Sequence, residues 1–147
     1  MPPVTSKSRL KIVRDITSGK GPLFGIYTGL RALGYENGFT VACDMPFVQS
    51  ALVKKMISVA RGYDVVIPRG AEGLEPLHAV YARSCLGPIE TLIASGRYKI
   101  DTLLTRVNVR YFGECEIKSL DPEGISFFNI NTPSELVRAE ELLGKIN

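Results

Sequence analysis

A chain of 147 residues, 45% hydrophobic and 22% charged, is sized for one domain whose core buries roughly two-thirds of the surface exposed by the unfolded chain. No apolar run approaches the roughly 20 residues of a membrane span, and the opening "MPPVTSKSRLKIV" lacks the basic segment, apolar stretch and small-residue site of a secretory leader, so a cytoplasmic protein without a membrane partner is expected. The net charge of +3 comes with no dense basic run, which argues against nucleic acid and leaves room for an anionic small ligand.

In chain order, "LKIV" (10–13), "FTVAC" (39–43) and "DVVIP" (64–68) are short, rich in β-branched residues and bounded by Gly, Asp or Pro, as strands buried on both faces are. Between them, Leu23, Ile26, Leu30 and Leu33 in "GPLFGIYTGLRALGY" recur at helical spacing, as do Val48, Leu52, Met56 and Val59 in "PFVQSALVKKMISVARG". Strand, helix, strand, helix, strand predicts parallel crossovers in an α/β layer fold. A strand "PLHAVYA" follows, then helices around "PIETLIASG" and "KIDTLLTR", a strand "VNVRYF" and another in "ISFFNI". In "NTPSELVRAEELL", Thr132 suits a cap, Pro133 the first helical position, and Glu135 completes a capping box, so a terminal helix is predicted from there. Cys43, Cys85 and Cys115 are odd in number and widely spaced, which suggests neither a disulfide framework nor a CxxC site.

Asp44 ends an apolar strand in "VACDMPFV". Ligands of open α/β sheets sit beyond the carboxyl ends of the strands, and Mg²⁺ is commonly held there by one or two carboxylates together with substrate phosphates. Asp44 is therefore either a metal ligand or a cap for the helix after Pro46.

"KIVRDITSGKGPLFGIYTGL", "VACDMPFV", "EPLHAVY" and "FFNINTPSELVRAEELL" stand in the order and rough spacing of the molybdenum cofactor guanylyltransferases, which the chain resembles over nearly its whole length. The resemblance implies a three-layer, Rossmann-like nucleotide-diphospho-sugar transferase fold with a mostly parallel sheet. It implies transfer of GMP from GTP to the phosphate of molybdopterin, with Mg²⁺, releasing pyrophosphate. Such chemistry asks for positioning and charge neutralisation, and no Ser, His or Cys nucleophile arrangement is present.

By that resemblance Asp44 is the catalytic metal ligand and contacts the nucleotide, and Asp15 is a nucleotide-binding acid or else a strand-end turn former. Gly21, Pro22 and Leu23 open a helix whose free N–H groups would face the nucleotide, whereas Gly25 and Gly29 are read as packing positions. Asn131 would supply an amide oxygen to the metal, unless it or Asn129 simply caps. His78, the single histidine, either lines the pterin side of the cleft or is structural. Arg83, with Arg69, Arg97 and Arg106, is either a receptor for the pterin phosphate or a solvated charge. Lys20 in "GKGP" lacks the rest of a phosphate-loop pattern.

The family opens with a strand and a glycine-rich loop of the type LAGGxSxRMGxxK, whereas the first matching segment here corresponds to the third strand. Residues 1–147 are thus expected to form a single nucleotidyltransferase-like domain lacking its first βαβ unit. An open, self-associating sheet edge beside the strand that ends at Asp44 follows, together with little activity from this chain alone. Two other readings stay open: a noncatalytic remnant that binds nucleotide or a partner, and a sibling that transfers CMP.

Overall fold

Pro22 and Gly21 decide where the first helix begins. In the computed structural model, which describes residues 11–15, 19–70 and 72–146, α1 spans Pro22–Ala32 with proline at its start and Gly21 at its N-cap. Proline's fixed φ suits the first turn, and Gly21 has φ 92°, outside the range open to ordinary side chains. Leu23, Phe24, Ile26, Tyr27 and Leu30 form its buried stripe. Then come β1 (Asn37–Val41), α2 (Ser50–Ser58), β2 (Val65–Gly70), β3 (Gly73–Leu74) and β4 (His78–Ala82). They are followed by α3 (Leu86–Ala94), α4 (Ile100–Leu104), β5 (Val109–Phe112), α5 (Glu114–Leu120) and α6 (Pro133–Ile146).

The sheet runs β1-β4-β2-β3, with β5 on the other side of β2. β4 is antiparallel to both β1 and β2, so β1 and β2 point the same way, and β5 lies parallel to β2. The parallel crossovers expected from the sequence therefore survive in strand direction but not in neighbourhood. The turn between β2 and β3 reverses the chain and sends β4 back between β1 and β2, so that of the four strand pairings described only β2–β5 is parallel and the sheet is mixed.

Alternation along β2 and β4 builds three layers. Val65, Ile67, Ala79 and Tyr81 face one side and pack with Leu23, Ile26 and Leu30 of α1, Ile89 and Leu92 of α3, and Leu103 of α4. Val66 and Val80 face the other side, with Leu52 and Met56 of α2, Phe112 and Ile117. Successive strand residues point to opposite faces, and apolar residues at both parities demand a helix layer on each side. At the amino end of β2, the Asp64 carboxylate accepts the Asn108 N–H at 2.8 Å and the Ser84 hydroxyl, fastening β5 and the end of β4 to β2.

Three expectations change. Residues 11–13 of "LKIV" are not strand, and Leu10 lies outside the described residues. "ISFFNI" contributes a single 3₁₀ turn, Ile125–Phe127, rather than a strand, because Asp121 turns the chain: its carboxylate accepts the N–H groups of Ile125 (3.2 Å) and Ser126 (2.9 Å). Val48 precedes α2, which begins at Ser50 and buries Leu52 and Met56. α5 and β3 had no counterpart in the sequence reading. The terminal helix begins at Pro133 as expected, with Glu135 accepting the Thr132 N–H at 2.9 Å while its own N–H donates to the Thr132 hydroxyl at 3.3 Å. Among the described residues no helix is long and apolar enough to cross a membrane.

Candidate functional site at the carboxyl ends of the strands

Because β1, β2 and β5 run the same way, their carboxyl ends open on one end of the sheet. Asp44 follows β1, Glu72 follows β2 and Glu114 follows β5. A cleft of about 790 Å³ lies there, walled by the β2–β3 end, α5, the 121–131 segment and the first turns of α6. Phe127 and Phe128 give it an apolar wall, and Asn129 and Asn131 give it amides.

Its charge is predominantly negative. The Glu114 carboxylate is paired with Lys118 at 2.6 Å, while those of Asp121 and Glu135 accept backbone N–H groups. Glu135 is held below the usual carboxylate range, first by its bond from the Asn131 N–H. Glu75 moves the opposite way: burial, and then the neighbouring Glu72, raise its carboxyl. The cleft's cations are Lys118 and Arg138, and the Arg138 guanidinium stands 5.9 Å from the Phe128 ring centroid.

Asp44 adjoins this cleft through the main chain, its carbonyl accepting the Ile130 N–H at 2.9 Å and so drawing 129–131 against the end of β1. Its Oδ1 is buried and has no hydrogen-bond partner in the protein. A buried carboxylate oxygen without a donor is costly unless something else satisfies it. A divalent cation is one such group, since Mg²⁺ takes a carboxylate oxygen, keeps waters and shares phosphate ligands. Among the described residues no group of three or more His, Cys, Asp or Glu could hold a metal by itself.

The bond from Ile130 thus sets the backbone of Asn131 near that of Asp44. Asn131 is exposed on the cleft, with its backbone N–H held by Glu135 at 2.8 Å, and the cap of α6 is the Thr132 hydroxyl rather than either asparagine. α1 and α3 lie antiparallel, Tyr27 donating to Glu90 at 2.9 Å near their middles and Phe24 meeting Tyr98, beyond the end of α3, at 5.4 Å between centroids. Since α3 starts from the far end of the sheet, the first turn of α1, with Gly21 and Pro22, lies toward the Asp44 end. Leu23 offers only its backbone there, since its side chain is wholly in the core. Asp15 is exposed in an irregular stretch.

Of the predicted site residues only Asn131 lines the cleft, and Arg83 and His78 are engaged elsewhere. Arg83 follows Ala82, the partner of Asn37, whereas Asp44 lies beyond Val41, the partner of His78, so they stand at opposite ends of a strand pair about 14 Å long. There the Arg83 guanidinium donates to the Leu33 carbonyl at 2.6 Å, closing the end of α1. His78 is 0% exposed, wedged edge-on between Phe39 and Phe127 with both centroids at 5.0 Å. Its apolar surroundings depress its pKa to about 4, opposed by the charge of Asp121, and leave a neutral ring at neutral pH. The sequence reading missed Glu72, Glu75, Asp121 and Phe127. The Asp-Pro-x-Gly stretch at 121–124 carried a turn signal that could have flagged Asp121.

The layers, the strand order and the position of the cleft define an α/β nucleotidyltransferase-type fold. The fold alone is shared with 2-C-methyl-D-erythritol 4-phosphate cytidylyltransferase from Thermus thermophilus, at 15% identity and a TM-score of 0.63 over 85% of this chain and 70% of that one. The profile of the MobA-like NTP transferase domain matches residues 2–110, and the chain belongs to that family. The molybdopterin-guanine dinucleotide biosynthesis protein A of Archaeoglobus fulgidus is 38% identical in crystal structure, with a TM-score of 0.78 over 90% of this chain and 68% of that one. Relatives named probable molybdenum cofactor guanylyltransferase, from Pelotomaculum thermopropionicum, and molybdenum cofactor guanylyltransferase, from Desulfosudis oleivorans, are 38% and 41% identical over 88% of this chain. The chain spans 63% and 64% of their respective lengths.

Proposed function

We propose that this chain serves Mg²⁺-dependent transfer of GMP from GTP to the phosphate of molybdopterin. A phosphate oxygen of the acceptor attacks the α-phosphorus of GTP, the new P–O bond replaces the bond to the β-phosphate, and pyrophosphate leaves with the electron pair. The single observation that carries the reading is the buried, unpartnered Oδ1 of Asp44 beside the Asn129–Asn131 edge of the cleft, in a chain of this family. Asp44, with the amide oxygen of Asn131, would hold Mg²⁺, whose charge offsets that of the phosphates. The first turn of α1 offers the backbone N–H groups of Gly21 and Leu23 to the nucleotide, with Pro22, which has no N–H, fixing the turn, and Asp15 belongs to the same nucleotide side. The carboxylates of Glu72 and Glu75 repel phosphates, so that part of the cleft suits the N–H-bearing ring of an acceptor.

Incubating the purified chain with GTP, Mg²⁺ and molybdopterin, and assaying pyrophosphate and the dinucleotide product, tests this directly. Competition between GTP and CTP tests the base. Tighter binding of CTP overturns the guanine assignment, and absence of both product and Mg²⁺-dependent GTP binding overturns the function. Self-association forms part of the same reading, because β1 is paired on one side only among the described residues. Light scattering that finds a monomer at all concentrations removes it.

A further inference from the structure

Two side chains behind the cleft wall present polar atoms to nothing in the protein. His78 and Ser126 are both 0% exposed, and neither ring nitrogen of His78 nor the Ser126 hydroxyl has a hydrogen-bond partner. The segments that carry them pack against each other. The His78 ring meets Phe127, the neighbour of Ser126, at 5.0 Å between centroids, and the Ser126 N–H donates to Asp121 at 2.9 Å. Asp121 is itself only 4% exposed, and its charge is felt at His78.

Leaving such groups unsatisfied is costly, and interiors commonly meet that demand with a water that makes about three hydrogen bonds. The chemistry of this trio suits one. A neutral imidazole supplies one donor and one acceptor, a hydroxyl supplies either, and the Asp121 carboxylate retains lone pairs after accepting two backbone N–H groups.

We propose that His78, Ser126 and Asp121 share an internal water, and that through it His78, on the central strand β4, positions the 121–131 wall of the cleft. His78 is then a positioning residue, tying the sheet to the segment that carries Phe127, Phe128, Asn129 and Asn131. The assignment is independent of the reaction proposed for the cleft.

The test is a crystal structure of the chain together with amide hydrogen exchange on variants. Water density within hydrogen-bond distance of a His78 nitrogen and the Ser126 hydroxyl is expected, and its absence overturns the proposal. His78→Phe, which keeps an aromatic ring and removes the nitrogens, should speed exchange at the Ile125 and Ser126 amides about tenfold while leaving Phe39 and Val80 unchanged. His78→Gln, which restores an amide donor and acceptor, should recover part of the protection. Ser126→Ala should reproduce the effect of His78→Phe, and it decides the matter if the histidine variant does not fold. Exchange that is unchanged in Ser126→Ala, or that rises uniformly across β1 and β4, overturns the proposal.

Discussion

The carbonyl of Asp44 accepts the N–H of Ile130 at 2.9 Å, so one main-chain bond joins the end of β1 to the loop that carries Asn129 and Asn131. The carboxylate has no part in that bond. Two segments far apart in the chain are thereby joined beside the cleft, and the Oδ1 of Asp44 is left without a partner in the protein.

Asp44→Asn keeps this main-chain bond and the side-chain shape but removes the negative charge. The fold should be unchanged by circular dichroism, and Mg²⁺-dependent binding of GTP should weaken by at least about tenfold, since even residues that only support a metal ligand are worth about tenfold to a hundredfold. Calorimetry with and without Mg²⁺ checks this, and an unchanged metal dependence removes Asp44 from the site.

Stability should fall with acid because of His78. Its pKa is lowered from 6.5 to about 4 by burial, so below pH 6.5 the unfolded chain takes up a proton that the folded chain refuses. The contribution of the neutral ring is complete above pH 6.5, declines as pH drops toward 4, and amounts to at most about 3 kcal/mol. Urea unfolding of the wild type and His78→Phe between pH 7 and about pH 4 should show a flatter profile in the variant. Parallel profiles would assign the acid sensitivity to other groups.

Asp121→Ala removes the acceptor for two backbone N–H groups at a nearly buried position. It should cost about 3 kcal/mol, and the loss should centre on the 3₁₀ turn Ile125–Phe127. Asp121→Asn, which keeps one oxygen, should cost less. Denaturant midpoints rank the two, and equal losses would show that the oxygen bonds are not the source.

Gly21→Ala places a side chain at φ 92° and ψ 177°, a backbone region essentially reserved for glycine. No neighbouring atom lies within 4 Å of the added carbon, so the cost of about 1–3 kcal/mol comes from the backbone alone. Thermal unfolding measures it. A melting point equal to that of the wild type would mean that the first turn of α1 relaxes freely, and would weaken its assignment as a rigid anion site.

What the sequence determined by itself was local or carried by motif. Pro22 and Gly21 start α1 through their own backbone limits, and Thr132 and Glu135 start α6 through bonds spanning three residues. The β-branched run from Val65 to Ile67 reads as a strand buried on both faces wherever it pairs. Asp44 was legible as a strand-end acid because periodicity and Pro46 bracket it. What only the tertiary structure decided depends on partners far away in the chain. Periodicity marks a strand but not its neighbour, so nothing in "PLHAVYA" told that β4 would run back between β1 and β2. "ISFFNI" has the composition of a strand, yet two N–H groups captured by Asp121 made it a turn. Arg83 and His78 carry the same letters whether they face a ligand or a neighbour. Pairing of Ala82 with Asn37 sent Arg83 to the far end of the sheet, and the rings of Phe39 and Phe127 closed over His78, because side-chain environment is set by long-range packing rather than by local sequence.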